Sequence, residues 1–275
     1  MDFDPDAVRE FERAGWNRAA AAYEASFASA TQQFIDPLLE AAVIEAGGTV
    51  LDLCCGPGFV GAAALARGAR VTGYDFSAAM LEQARALFPG ISFDFGDAEA
   101  LPYSDSGFDA VVANFGIHHV PRPGLALAGV HRILRPGKKF AFSIWAGHDE
   151  NIAWQLVFDA IRRHGDLGAS AAPPPGGGFA TAADCLAALQ AAGFVGADAR
   201  LVRGLWRHKD AASLLAALRA GTARMAALID AQMDTAMPAI LAALETSTAP
   251  FEVSGLDGGQ LAVPIACYIA SGTRR

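Results

Sequence analysis

The densest chemistry in this sequence gathers around one glycine turn. Thr49-Val-Leu-Asp-Leu-Cys54 runs into Cys55-Gly56-Pro57-Gly58-Phe59-Val60-Gly61, so Gly56, Gly58 and Gly61 satisfy G-x-G-x-x-G. Asp75 lies 19 residues beyond Gly56, the ordinary spacing for a carboxylate that binds ribose hydroxyls. Taken alone, this pattern points to a dinucleotide such as NAD. Two residues oppose it. Asp52, four residues before Gly56 and inside the preceding apolar run, would repel a pyrophosphate lying over the turn and attract an ammonium or sulfonium group. Pro57 removes one backbone N–H from any phosphate cradle. Together they favour an adenosine ligand that carries positive charge and no phosphate. The plainer alternative is that Asp52 only caps or hydrogen-bonds the turn.

The elements around that turn follow from periodicity. Apolar, β-branched or aromatic runs at Val50–Cys54, Arg70–Tyr74, Ile91–Phe95, Phe108–Phe115 and Lys139–Trp145 alternate with helix-like stretches at Val60–Arg67, Ala78–Phe88, Ala98–Leu101 and Leu125–Leu134. Strand and helix in alternation predict an α/β fold with a mainly parallel, doubly wound sheet that binds ligand at its strand carboxyl ends. Pro5–Ala46 reads as helices with Phe11, Trp16, Ala19, Ala20 and Tyr23 near the helical period, an N-terminal lid over residues 1–46. Residues 47–146 are the expected cofactor-binding core, and 147–275 the acceptor side, within one domain of 275 residues. That last section predicts a helix at Asn151–Arg163, a Pro/Gly access loop at Gly165–Phe179 and a helix at Thr181–Ala192. A strand at Gly196–Arg207, an alanine-rich helical block at Asp210–Glu245 and a final strand at Leu261–Ser271 complete it. The two late strands are expected to pair as an antiparallel hairpin on the sheet edge.

Composition excludes several functions. Sixty alanines raise the hydrophobic fraction to 53%, which speaks for helices rather than bilayers. No apolar run reaches the roughly 20 residues that a spanning helix needs. The acidic start, Met1-Asp-Phe-Asp-Pro-Asp6, is unlike a secretory signal, so a cytoplasmic protein without stable membrane insertion is expected. A net charge of −8 removes the general attraction on which nucleic-acid binders rely. Cys54, Cys55, Cys185 and Cys267 form no C-x-x-C pair, so neither structural zinc nor a disulfide framework is expected. His131, His148, His164 and His208 read as surface or structural groups, not metal ligands.

Val50-Leu-Asp-Leu-Cys-Cys-Gly-Pro-Gly58 resembles the first motif of class I S-adenosylmethionine-dependent methyltransferases. The likeness continues in order through Val71-Thr-Gly-Tyr-Asp75-Phe-Ser-Ala-Ala-Met80, Gly96-Asp97-Ala98, Phe108 to His119 and Leu134-Arg-Pro-Gly137, covering about residues 49–146. Trp16-Asn-Arg-Ala-Ala-Ala-Ala-Tyr23 is similar to the first helix of the ubiquinone/menaquinone-methyltransferase-like branch. The resemblance implies a Rossmann-like seven-stranded sheet, S-adenosyl-L-methionine as cofactor, S-adenosyl-L-homocysteine as product, and in-line methyl transfer to a small-molecule acceptor. Cys54 stands where the family carries its first loop glycine, and Lys138 replaces a second glycine after Gly137.

By the same resemblance, Gly56 and Gly58 bring backbone close to the cofactor, and Cys54 and Asp52 lie by its methionine portion. Asp75 accepts from the ribose, with a helix cap as its bland alternative. Phe76 and Met80 flank the adenine, Asp97 accepts from its amine, and Ala98 lies alongside. Asn114 and Phe115 border the methyl group, and Tyr23 closes over it, whereas Trp16 reads as helix core. His118 is the candidate base, ahead of His119. Trp145, Trp154, Phe158, Phe179, Trp206, Met225, Met233 and Met237 are available to line an apolar acceptor pocket. The competing functions are an NAD(P)-dependent oxidoreductase, and a protein of the same fold that binds the cofactor without transferring methyl. Nothing in the sequence selects the acceptor atom or an oligomeric state.

Overall fold

Asp4 starts the first helix by accepting hydrogen bonds from the Asp6 and Ala7 amides, and Pro5 sits in the first turn, where a missing N–H costs nothing. In the computed structural model, which describes residues 3–147, 149–173, 179–253 and 260–275, this helix is α1 (Pro5–Ser26). The expected helical lid then breaks into α2 (Ala28–Thr31), a 3-10 turn and α3 (Ile35–Ala42), which ends on Val43 in the left-handed region.

The core alternates as expected: β1 (Thr49–Leu53), α4 (Phe59–Ala66), β2 (Arg70–Asp75), α5 (Ala78–Leu87), β3 (Ser92–Phe95), β4 (Phe108–Asn114), α6 (Pro123–Ile133) and β5 (Leu134–Trp145). Ala98–Leu101 is not a helix. Ala100 N–H closes a turn onto the Asp97 carbonyl, and the Asp97 side chain takes the Glu99 amide. Four residues are too few to repay helix nucleation when a side chain offers the backbone another partner. The strand β5 starts five residues before the expected Lys139, because Leu134 already pairs with Phe108 ahead of a register shift.

The later section continues with α7 (Ile152–His164), α8 (Ala182–Ala191), β6 (Phe194–His208), α9 (Ala211–Gly221), α10 (Arg224–Asp230), α11 (Met237–Thr248), β7 (Glu252–Val253) and β8 (Gln260–Arg274). A reciprocal Thr181/Asp184 capping box opens α8. The alanine-rich block is thus three helices rather than one run. Of the expected access loop Gly165–Phe179, residues 174–178 lie outside the described residues, as does His148. The described beginning of that loop is tied down, since the Gln232 side chain bonds both the N–H and the C=O of Asp166.

Strand order is β3-β2-β1-β4-β5-β8-β6, with the two-residue β7 paired to β8 off this path. β1 to β5 pair in parallel, and β8 runs antiparallel between β5 and the edge strand β6. The sheet is therefore the expected seven-stranded, Rossmann-like one with an antiparallel end, plus a short eighth strand. Its two late strands are joined through three helices instead of a hairpin turn.

Strand alternation divides the core. Val50 and Val112 face the layer that holds Leu38, Leu39, Trp206 and Leu214, whereas Leu51 and Val111 face Leu127, Phe140 and Phe142. Each such side chain, fully withdrawn from water, contributes about 1.5 to 3 kcal/mol. Both faces are covered, as parallel sheets require. Among the described residues no single helix is long and apolar enough to cross a membrane.

Candidate active site

The strand order reverses between β1 and β4, and at this switch point the carboxyl ends of the strands separate into a crevice. It measures about 1060 Å3 including its mouth. Cys54 and Phe115, immediately after β1 and β4, both take positive φ, 56° and 57°. Left-handed backbone costs an ordinary residue about 1 to 2 kcal/mol, which explains why relatives of the first motif favour glycine at the position of Cys54. Gly116 must be glycine for a matching reason, since a Cβ there would come within 2.3 Å of the Cys54 Cβ.

The glycine turn has two different glycines. Gly56 (φ 51°) faces open space, and a Cβ there would meet nothing within 4 Å, so its backbone lines the crevice. Gly58 (φ 85°) points the other way, where a Cβ would strike the Phe93 ring at 2.9 Å. Gly58 is not on the crevice wall. It lets α4 start against Phe93 and Phe88.

The turn's amides are largely spent. Gly56 N–H donates to Asp75 Oδ2 at 2.9 Å and Gly61 N–H to Asp52 Oδ2 at 2.8 Å. Gly58 N–H closes on the Cys55 carbonyl, and Pro57 has none. Asp52 therefore does hydrogen-bond the turn, as the plainer alternative holds, but with one oxygen only. Its Oδ1 is buried in the crevice wall without a partner. Burial, against the Gly61 hydrogen bond and with the help of Asp75, pushes the Asp52 carboxyl up to about 8. Asp75 accepts from Gly56 and, through Oδ1, from Ser77 N–H. Burial raises its pKa despite those bonds. The capping of α5 falls to Ser77, which accepts from the Met80 amide, so Asp75 remains at the crevice.

Phe76, Met80, Asp97, Ala98, Asn114 and Tyr23 also lie on the crevice wall. Met80 is buried against Trp16, Ala19, Ala20 and Tyr23 of α1. The carboxylate of Asp97 is already engaged, with Arg9 Nε 2.7 Å from Oδ2 and the Glu99 amide on Oδ1. Asn114 is held at both ends: Ser143 Oγ donates to Oδ1 at 2.6 Å, and Nδ2 donates to the Thr31 carbonyl at 3.2 Å. Tyr23 Oη lies 3.1 Å from Thr31 Oγ1. This chain of hydrogen bonds ties α1 and α2 to the end of β4. Phe115 stacks on Trp145 at 3.9 Å and 17°, giving the crevice an aromatic wall.

The histidine pair is placed differently from the expectation. His118 is not on the crevice wall, and its buried Nδ1 has no partner. Burial, then the neighbouring His119 and Arg224, push its pKa well down. His119 lines the crevice instead, with Nδ1 3.1 Å from Glu12 Oε2. In the 3-10 turn Ile117–His119 successive side chains diverge by about a third of a turn, so adjacent histidines cannot share an orientation.

Sequence reasoning missed Arg9, Glu12, Phe27, Thr31 and Arg224. Glu12 carried a legible signal, because it falls on the buried stripe of α1 with Val8, Ala19 and Ala20, and a charge on such a stripe needs a buried partner. Trp16, read as core, lines the crevice, whereas Trp206 is fully buried and donates to Ser29 Oγ. Met233 is 72% exposed and Met225 lies in the core. Trp145, Trp154, Phe158 and Phe179 wall a second recess beside the crevice. No metal-binding group of three or more His, Cys, Asp or Glu occurs among the described residues.

With the switch-point crevice and its carboxylates in place, residues 50–137 of the 275 fit the family model described as "Methyltransferase domain". The chain is 38% identical over 133 residues to a malonyl-[acyl-carrier protein] O-methyltransferase of Erwinia billingiae, covering 43% of this chain and 53% of that protein. A demethylmenaquinone methyltransferase of Clavibacter sepedonicus is 42% identical over 95 residues, 34% of this chain and 39% of the other. The chain thus spans about half the length, or less, of these two relatives. The fold of the methyltransferase domain and its surroundings is shared with the YcgJ protein of Bacillus subtilis, at a TM-score of 0.58 and 17% identity over 89% of this chain and 99% of that one.

Proposed function

We propose that this protein binds S-adenosyl-L-methionine in the switch-point crevice and transfers its methyl group to a small, apolar or aromatic acceptor. The observation that carries this reading is the state of the glycine turn. Gly56, Gly58 and Gly61 have given their N–H groups to Asp75, Cys55 and Asp52, and Pro57 has none to give. A pyrophosphate would meet two buried carboxylates at this place instead of free amides, which removes the basis for an NAD(P)-dependent oxidoreductase. A cationic, phosphate-free adenosine ligand fits the same atoms, because the Asp52 carboxyl, which burial keeps protonated up to about 8, ionises when a positive charge lies against its unpartnered Oδ1.

When bound, S-adenosylmethionine supplies a methyl group on a sulfonium sulfur that departs as a neutral thioether. The protein's own part is to bind and align. Asp52 faces the positive charge, Asp75 and Asp97 accept from the ribose and adenine, and Phe76, Met80 and Ala98 enclose the adenine. Tyr23 and Asn114, locked through Thr31, and Phe115, stacked on Trp145, hold the wall beside the methyl group. Alignment of this kind supplies roughly 7 to 11 kcal/mol toward an in-line displacement. The aromatic wall of Trp16, Tyr23, Phe27, Phe115 and Trp145 supports an apolar or aromatic acceptor, and the net charge of −8 supports a small molecule over nucleic acid.

Calorimetric titration with S-adenosylmethionine, S-adenosylhomocysteine and NAD+ in parallel tests the reading. Micromolar binding of the first two without NAD+ is the expected result, and binding of NAD+ alone defeats it. Cofactor binding with no label passing from methyl-labelled S-adenosylmethionine to any of a broad set of small acceptors would favour the non-catalytic alternative.

A further inference from the structure

A carboxylate on the first helix reaches the histidine at the crevice. Glu12 is completely buried, and its two oxygens are divided between different partners. Oε1 takes Arg224 Nε of α10 at 2.5 Å. Oε2 takes Trp16 Nε1 at 3.1 Å and lies 3.1 Å from His119 Nδ1. Arg224 is itself fixed, with Nη1 donating to the Pro173 carbonyl at 2.8 Å and its guanidinium over the Phe11 ring. Burial alone would favour protonated Glu12, but the attraction and hydrogen bonds of His119 and Arg224 outweigh it and keep the carboxyl ionised. The Trp16 ring stands edge-on to His119 at 5.0 Å, and His118 lies against its other side at 4.1 Å.

Such an arrangement fixes a tautomer. An ionised carboxylate only accepts, so a hydrogen bond across the 3.1 Å to Glu12 Oε2 needs the His119 proton on Nδ1, a buried atom with no other partner, and Nε2 then keeps a free lone pair. His119 lines the crevice and Glu12 does not. We infer that His119 is the general base for methyl transfer, that Glu12 is its positioning residue, and that the acceptor is a neutral molecule bearing an O–H or N–H. This deepens the proposed function and rests on it. In the step, His119 Nε2 takes the acceptor's proton, and the electron pair of the O–H or N–H bond stays on the heteroatom. That atom forms its new bond to the methyl carbon, the old carbon–sulfur pair leaves on sulfur, and the proton passes from His119 to water. A carboxylate or thioether acceptor has no proton to lose and would leave the pair idle. Asp75 and Asp97 at the crevice also disfavour an anionic acceptor, since Arg9, the one guanidinium on its wall among the described residues, is committed to Asp97 and Glu99.

Glu12→Gln gives a sharp test. Arg224, the charged donor at 2.5 Å, keeps the amide oxygen, and the NH2 group then gives up the Trp16 Nε1 hydrogen bond and faces His119 Nδ1. That nitrogen must accept, the proton moves to Nε2, and the base is lost. Long-range proton–nitrogen correlation spectra of 15N-histidine-labelled protein, with S-adenosylhomocysteine added, should show wild-type His119 as the Nδ1–H tautomer and the variant as Nε2–H. Methyl transfer to phenols or primary amines should fall by about 10²- to 10⁴-fold, the usual share of a general base, with cofactor affinity unchanged. A wild-type Nε2–H tautomer overturns the proposal without needing any variant. Turnover confined to carboxylates or thioethers and indifferent to Glu12→Gln overturns it too. Calorimetry on the same sample separates the two readings: a protein that fails to bind S-adenosylhomocysteine defeats the proposed function, whereas one that binds it with the wrong tautomer defeats only the base.

Discussion

Replacing Asp52 with Asn should make the ligand-free protein more stable at pH 8 while making it a poorer cofactor binder. In the fold the Asp52 carboxyl holds its proton to about 8, whereas in the unfolded chain it loses it near 3.9. Between those limits the folded state carries the extra proton, so the native protein is stabilised below pH 4 and loses that advantage as pH rises through 8. At about 1.4 kcal/mol for each tenfold change in proton affinity, the ceiling on this loss is about 6 kcal/mol. Asn is the same shape, still accepts from Gly61, and does not titrate. Melting curves of the wild type and the variant should coincide near pH 4 and separate steadily toward pH 8. Even half the ceiling, the rest being relieved by water reaching the carboxylate, opens a gap of roughly 6 °C or more in a chain of this size. Asp75, whose pKa is raised in the same direction, slopes both curves, and its repulsion of Asp52 is part of the difference that Asn removes. In the cofactor titration the variant should bind S-adenosylmethionine at least tenfold more weakly, with no gain for NAD+. Parallel melting curves from pH 4 to 9 would refute the reasoning, because Asp52 would then be ionised in the fold at every pH and its Oδ1 already satisfied.

The two turn glycines should separate stability from binding. Gly58→Ala forces a left-handed alanine against the Phe93 ring and should cost about 2 to 4 kcal/mol in urea denaturation. Gly56→Ala has open space and should cost about 1 to 2 kcal/mol, yet its methyl enters the crevice and should weaken S-adenosylmethionine binding more than its stability loss accounts for. Asp75→Ala removes the acceptor for both Gly56 and Ser77 and should weaken cofactor binding at least tenfold by calorimetry.

The parallel core was legible in the sequence because its strands are apolar on both faces and its intervals are long enough for a helix, as in Phe108–Asn114 followed by Pro123–Ile133. Ala98–Leu101 misled because four helix-forming residues carry no evidence of where Asp97 sends its side chain. The choice between Gly56 and Gly58 was closed to sequence reasoning, since both take positive φ and only the position of Phe93, 35 residues away, distinguishes them. His118 was ranked ahead of His119 without a physical ground to separate them: a 3-10 turn follows neither the strand nor the α-helical period. Apart from Tyr23, the residues expected at the cofactor fall between Asp52 and Phe115, close enough in the chain to be named as one set. Glu12 and Arg224 lie far apart in the chain, and a lone pair of opposite charges at that distance has no signature in one sequence.

That separation has a consequence for how the protein comes into being. Glu12 and Arg224 are 212 positions apart, among the longest loop closures this chain has to make, and such contacts form late because their entropy must be met before they reward it. A chain emerging from the ribosome completes its parallel strands when residue 145 is out, long before α10 exists to receive Glu12. The crevice floor is therefore ready first, and the contact that orients His119 arrives only once residue 224 has been made.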